Sequence, residues 1–134
     1  MIAERIASIR ATLPAHVQLI AVSKTKPVSD LQQAYDAGQR AFGENKVQEL
    51  VDKAAVLPRD IEWHLIGHLQ TNKVKYIAPF VHLIHAVDSL KLLLEINKQA
   101  TKNNRVIDVL LQFHIAQEET KFGLSLEEAQ EICV

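Results

Sequence analysis

Lys24 closes an apolar run, Leu19-Ile20-Ala21-Val22-Ser23, and is followed by Thr25-Lys26-Pro27. A primary amine at the tip of a buried strand is suited to nucleophilic chemistry. Partial desolvation disfavours its charged form, and the neutral amine adds to aldehydes. Strand alternation puts Ile20, Val22 and Lys24 on one face. Four later apolar runs end at Asn45, His68, Asp88 and His114. Parallel α/β proteins build their sites from such strand-end residues. A strand-end lysine is also commonly just solvated, so position alone leaves its role open.

The elements that would present these residues alternate in type. After a leading helix over residues 1–13, strands are expected at 18–24, 41–45, 62–68, 81–88 and 108–115. Most are nearly continuous apolar runs, as in strands buried on both faces. Between them lie helices with recognisable starts. Ser29 stands three residues before Gln32, and Asn45 three before Gln48, each a reciprocal capping pair. Gly38 suits the end of the first of these helices. Val47, Leu50, Val51 and Ala54 fall on one face of the second. A shorter helix is expected over 71–79. Asp88 or Ser89 opens a Leu-rich helix, and Ser125 with Glu128 opens the last one. Repeated strand–helix units imply parallel strands. A doubly wound open sheet and part of a (β/α)₈ barrel both fit. The first strand lacks a Gly-rich fingerprint, which argues against dinucleotide binding.

Composition bounds the rest. The 134 residues carry a formal net charge of -1, with basic residues spread along the chain, so no nucleic-acid or membrane partner is expected. One domain over 1–134 suits this length. The single cysteine, Cys133, excludes an internal disulfide framework and is compatible with a reducing compartment. Residues 1–13 do not read as a signal peptide, and no apolar run reaches membrane-spanning length, so a cytoplasmic protein is expected. Among the histidines, His64 is expected to be hydrogen-bonded at its strand and His68 to line the mouth of the strand array. His82 and His85 read as structural or exposed. No convergent zinc-ligand pattern is present. Trp63 reads as core.

Three segments, in order, resemble a known family: Ala21-Val22-Ser23-Lys24-Thr25-Lys26-Pro27, Phe42-Gly43-Glu44-Asn45 with Val47-Gln48-Glu49, and Glu62-Trp63-His64-Leu65-Ile66-Gly67-His68-Leu69-Gln70-Thr71-Asn72-Lys73. Leu111-Gln112-Phe113-His114-Ile115 and Thr120-Lys121-Phe122-Gly123 continue the resemblance more weakly. The family is that of the pyridoxal phosphate homeostasis proteins (the YggS/PROSC family), related to the N-terminal barrel of alanine racemase. The resemblance implies a TIM-type (β/α) barrel, of which this chain supplies the first five units after the leading helix. It implies pyridoxal 5'-phosphate as cofactor, held by Lys24 as a reversible imine, with Asn45 beside it. Lys26, His68 and Lys121 fall on the same rim and are the further candidates for cofactor contact.

Family members are longer. The segments that carry their phosphate cradle, and the arginine facing the pyridine nitrogen, are not found in these residues. Self-association or a complementing C-terminal fragment is therefore an expectation for closing the barrel. The implied role is a carrier that passes the cofactor to acceptor enzymes rather than a catalyst. Two rivals stand beside it: a racemase-like enzyme of the same barrel type, and an assembly module that binds no cofactor. Racemisation needs acid–base groups on both faces of the substrate carbon. Tyr35 and Tyr76 both fall in expected helices, away from the strand ends.

Overall fold

The computed structural model describes residues 1–113 and 124–133. In chain order these form α1 (Ile2–Ala11), β1 (Ala21–Val22), α2 (Val28–Asp36), β2 (Ala41–Glu44), α3 (Val47–Val56) and β3 (Glu62–Leu65). A 3₁₀ turn at Thr71–Lys73 runs into α4 (Val74–Ile77), followed by β4 (Leu83–Val87), α5 (Leu90–Lys102), β5 (Asp108–Leu111) and α6 (Leu126–Cys133). His114 and Lys121 lie outside the described residues.

The five strands are parallel and pair in sequence order, β1-β2-β3-β4-β5. A doubly wound sheet reverses its order at a switch point, and this one does not. Of the two architectures compatible with the sequence, the order selects barrel-type winding. Functional side chains are then expected along one rim, at the C-terminal strand ends.

The register sorts the side chains into two faces. Phe42 aligns with Trp63, and Leu65 with Ile84, on the face that meets the helices. There they pack with Leu31 of α2, Leu50 of α3, Ile77 of α4, and Leu92 and Ile96 of α5. Trp63 is core, as its setting in the sequence implies. The opposite face carries Val22, Gly43, His64 and Leu83 in one row. This inner face is not uniformly covered. Val22 on β1 is 54% exposed and Leu110 on β5 is 48% exposed, so the expectation of strands buried on both faces fails at the two edges.

The strands are shorter than their apolar runs, β1 above all. Its lower end is cut by a side chain: buried Gln39 donates from Nε2 to Leu19 O at 2.7 Å and Ala41 O at 2.8 Å. Its upper end is cut by a turn, with Lys26 N donating to Ser23 O at 3.1 Å.

Two of the expected helix caps form. Ser89 Oγ accepts from Leu92 N at 3.1 Å, and Ser125 Oγ accepts from Glu128 N at 3.1 Å. The other two do not. The helix expected after a Ser29 cap starts two residues earlier, at Val28, with Pro27 in the cap position. α3 starts at Val47 with Lys46 in the cap position and no side-chain cap. Gly38 does end its helix, at φ +99. No helix among the described residues is long and apolar enough to cross a membrane.

Leu50 is fully buried between α3 and the sheet. Leu50→Ala should lower unfolding stability by about 2–5 kcal/mol, the usual range for a large-to-small core change. A denaturant titration measures it, and a loss below about 1 kcal/mol would contradict this packing.

Candidate functional site

The rim is built by extending the register past the strand ends. Val22 aligns with Gly43 and Gly43 with His64. Each two residues past the Val22–Gly43 pair, Lys24 lies in the turn that ends β1 and Asn45 just beyond β2, at the same end of the sheet. Lys24 is exposed, and no carboxylate among the described residues pairs with its Nζ. The desolvation expected from the sequence is therefore missing, because the inner face beside β1 is uncovered. Lys26 is exposed on the same turn.

Asn45 is half-buried, one residue beyond β2. It is not the cap of α3, so the capping role read from its spacing to Gln48 is corrected. Its position is set from the other side. A Cβ built on Gly67 would stand 2.8 Å from Asn45 O and 3.1 Å from Asn45 Oδ1. Only a glycine lets the backbone after β3 lie against Asn45 this closely. Gly43 is similarly confined, between Ile20 and Ile66 on the inner face.

His68 and Asp88 meet at the ends of β3 and β4, with Nδ1 3.2 Å from Oδ2. His68 is exposed and Asp88 largely buried, so the carboxylate is the better-fixed partner. Of the candidate residues, the structure thus gathers Lys24, Lys26, Asn45 and His68 at one end of the sheet.

Beneath the rim, the inner face carries a histidine pair. His64 Nδ1 lies 2.9 Å from His85 Nε2, and His64 Nε2 is buried without a hydrogen-bond partner. One imidazole donates and the other accepts, which requires at least one neutral ring. Burial, with the nearby His85 and His82 charges, pushes His64 down from 6.5 to about 4. Burial lowers His85 as well. His82 is exposed and pairs with Glu62 at 2.9 Å. No cluster of three or more histidine, cysteine or carboxylate groups suited to a metal occurs among the described residues.

One group escaped the sequence reading. Behind Lys24, on the helix side of the sheet, buried Lys53 Nζ donates to Ser23 O at 2.8 Å, Glu44 Oε2 at 2.9 Å and Glu49 Oε2 at 2.8 Å. Two signals pointed to it. Glu44 is a carboxylate in an apolar strand, and Lys53 lies one turn from Leu50 and four residues after Glu49.

The site's fit to an aldehyde-bearing cofactor follows from its donors. An amine without a carboxylate partner among the described residues, at a rim that also carries the Asn45 amide, suits a carbonyl. No described residue is assigned to a phosphate.

Known proteins place this geometry. The profile described as "Alanine racemase, N-terminal domain" matches residues 1–134. A pyridoxal phosphate homeostasis protein of Aquifex aeolicus is 46% identical over 116 residues, covering 86% of this chain and 51% of that protein. The one from Escherichia coli K12 is 42% identical over 123 residues, covering 89% and 53%. The chain thus spans about half the length of the curated relatives it matches. The structure of PipY from Synechococcus elongatus PCC7942 with pyridoxal phosphate bound superposes with a TM-score of 0.90 at 40% identity, covering 99% of this chain and 62% of that one. Alanine racemase from E. faecalis, at 17% identity and a TM-score of 0.75, shares the fold.

The histidine pair makes stability depend on pH. His64 holds a proton less readily folded than unfolded, so the unfolded chain takes up more protons between about pH 6.5 and 4. Stability is complete above the unfolded value and falls as pH drops towards the folded one. The loss assignable to His64 is on the order of 2–3 kcal/mol at most. Unfolding titrations across this window should show that slope in the parent and a shallower one in His64→Gln, with His85 supplying the remainder. Equal slopes would contradict the assignment.

Proposed function

The chain belongs to the family of the alanine racemase N-terminal domain, and from that membership we propose that it holds pyridoxal 5'-phosphate at Lys24 as a cytoplasmic carrier of the cofactor. The observation that carries this reading is the exposed Lys24, with no carboxylate partner among the described residues, at the strand-end rim of a fold shared with a cofactor-bound relative. The names of the curated relatives, pyridoxal phosphate homeostasis proteins, support the same role.

When bound, the cofactor supplies an aldehyde carbon with which a neutral primary amine condenses reversibly. Lys24 Nζ must release a proton to offer its lone pair. Its openness to water lets that proton leave and lets the held carbonyl compound be returned by hydrolysis. Asn45, fixed by the Gly67 backbone, presents an amide that can donate to or accept from a polar ring substituent. Lys26 adds positive charge on the same turn, which favours approach of a phosphate dianion. The His68–Asp88 pair forms the far side of the rim. Lys121 remains a candidate contact.

Release to acceptor enzymes that use the cofactor is part of this reading, and among the described residues neither tyrosine favours the racemase-like alternative. Tyr35 stands on α2 and directs its hydroxyl to Asp60, which precedes β3 and so lies at the N-terminal strand ends. Tyr76 is on α4, and neither reaches the rim.

Incubation with pyridoxal phosphate, borohydride reduction and peptide mapping should place the label on Lys24, and Lys24→Ala should abolish it at that peptide. Label scattered over the other lysines, with Lys24 unmodified, would overturn the proposal.

A further inference from the structure

Both peptide units that flank Lys24 are tied to a single buried charge cluster. On the N-terminal side, Ser23 is buried; its N donates to Gly43 O at 2.9 Å and its Oγ donates to Glu44 Oε2. Its carbonyl accepts from Lys53 Nζ at 2.8 Å. On the C-terminal side, Thr25 N donates to Glu49 Oε2 at 2.7 Å. Lys53 joins the two sides by donating to Glu44 and Glu49, which uses all three of its N–H groups.

The cluster also has strain to hold. Thr25 has φ +64, in the left-handed region that a β-branched residue rarely enters. Such a conformation persists only where its surroundings over-determine it. Here the Glu49 carboxylate on the Thr25 N–H and the Lys26 N–H on Ser23 O close the turn from both sides. The bonds from Lys53 and from Thr25 N–H pull Glu49 below the ordinary carboxylate range, so it is charged at neutral pH.

We propose that Lys53, acting through Glu44 and Glu49, is the positioning residue of the site: the cluster sets the backbone on either side of Lys24 and so aims its amine at the inner rim. This rests on the reading of Lys24 as the carbonyl-holding amine. Lys24 itself touches no member of the cluster. Its aim comes from two fixed peptide units rather than from contacts to its side chain, which leaves the amine accessible to the ligand. Lys98, exposed on α5 and remote from the cluster, serves as an internal reference.

The test compares the full chain with Glu49→Ala, Glu49→Gln and Lys53→Met, each checked for a cooperative unfolding transition. Each is labelled with pyridoxal phosphate and borohydride, and the ratio of label on Lys24 to label on Lys98 is read from peptide masses. Hydrogen exchange at the Thr25 amide is read in parallel, without ligand. Glu49 is partly exposed, so Glu49→Ala folds even if Lys53→Met does not. In Glu49→Ala the Lys24:Lys98 ratio should fall about tenfold, the equivalent of one charge-assisted hydrogen bond, with Thr25 exchange accelerated. Glu49→Gln keeps an acceptor for Thr25 N–H and should recover most of the ratio. A folded Lys53→Met should lose at least as much as Glu49→Ala. An unchanged ratio in folded Glu49→Ala, with the parent labelled at Lys24, overturns the positioning role alone. A parent not labelled at Lys24 overturns both it and the carrier reading. General destabilisation is read separately from the unfolding transitions, and label on Lys98 reports any change common to exposed lysines.

Discussion

An ammonium group nearly out of reach of water, Lys53 Nζ, holds three chain segments together. It bonds the end of β1 through Ser23 O, the end of β2 through Glu44 and the first turn of α3 through Glu49. Taking a charge out of water costs several kcal/mol, and a buried pair is only weak evidence of net stability. What such a group does secure is geometry, since losing any partner leaves a charge buried and unpaired. The cost falls beside Thr25, one of the two described non-glycine residues held at positive φ. Stability given up in the cluster is returned as a defined backbone around Lys24.

That definition matters because the sheet does not enclose the lysine. With five strands paired in order, the helix-facing side forms a closed core while the inner face stays open near β1 and β5. Among the described residues, Lys24 is set apart from the other lysines by the fixed peptide units on either side of it. Gly67 contributes by letting the backbone after β3 press on Asn45, and the His64–His85 bond ties β3 to β4 below it. The rim is thus held on both sides by polar contacts that cross between strands.

Much of this was legible from residue types. Alternating apolar runs locate the described strands and helices in order, and the pairs at Ser89 and Ser125 mark two of the helix starts. The rim residues follow from reading strand ends, as Lys24 and Asn45 illustrate. Other features depended on partners distant in sequence. Gln39 shortens β1 by satisfying Leu19 O, which no local pattern announces. Asn45 looks like a helix cap, yet its place is decided by Gly67 on the next strand. Lys53 looks like a surface helix residue paired with Glu49, and only Glu44 in the strand below makes it buried. The expected desolvation of Lys24 failed for the same reason: burial depends on which strands cover the inner face.

The central claim is that a backbone locked by Lys53 and Glu49 presents Lys24 to a carbonyl ligand. A crystal structure of the protein after pyridoxal phosphate treatment and borohydride reduction examines it most directly. The account predicts continuous density from Lys24 Nζ to the ligand, beside Asn45, with the Lys53–Ser23 and Glu49–Thr25 bonds intact. Ligand density on another lysine, or Lys24 bound with the Ser23–Lys26 turn rebuilt and both bonds broken, would contradict it.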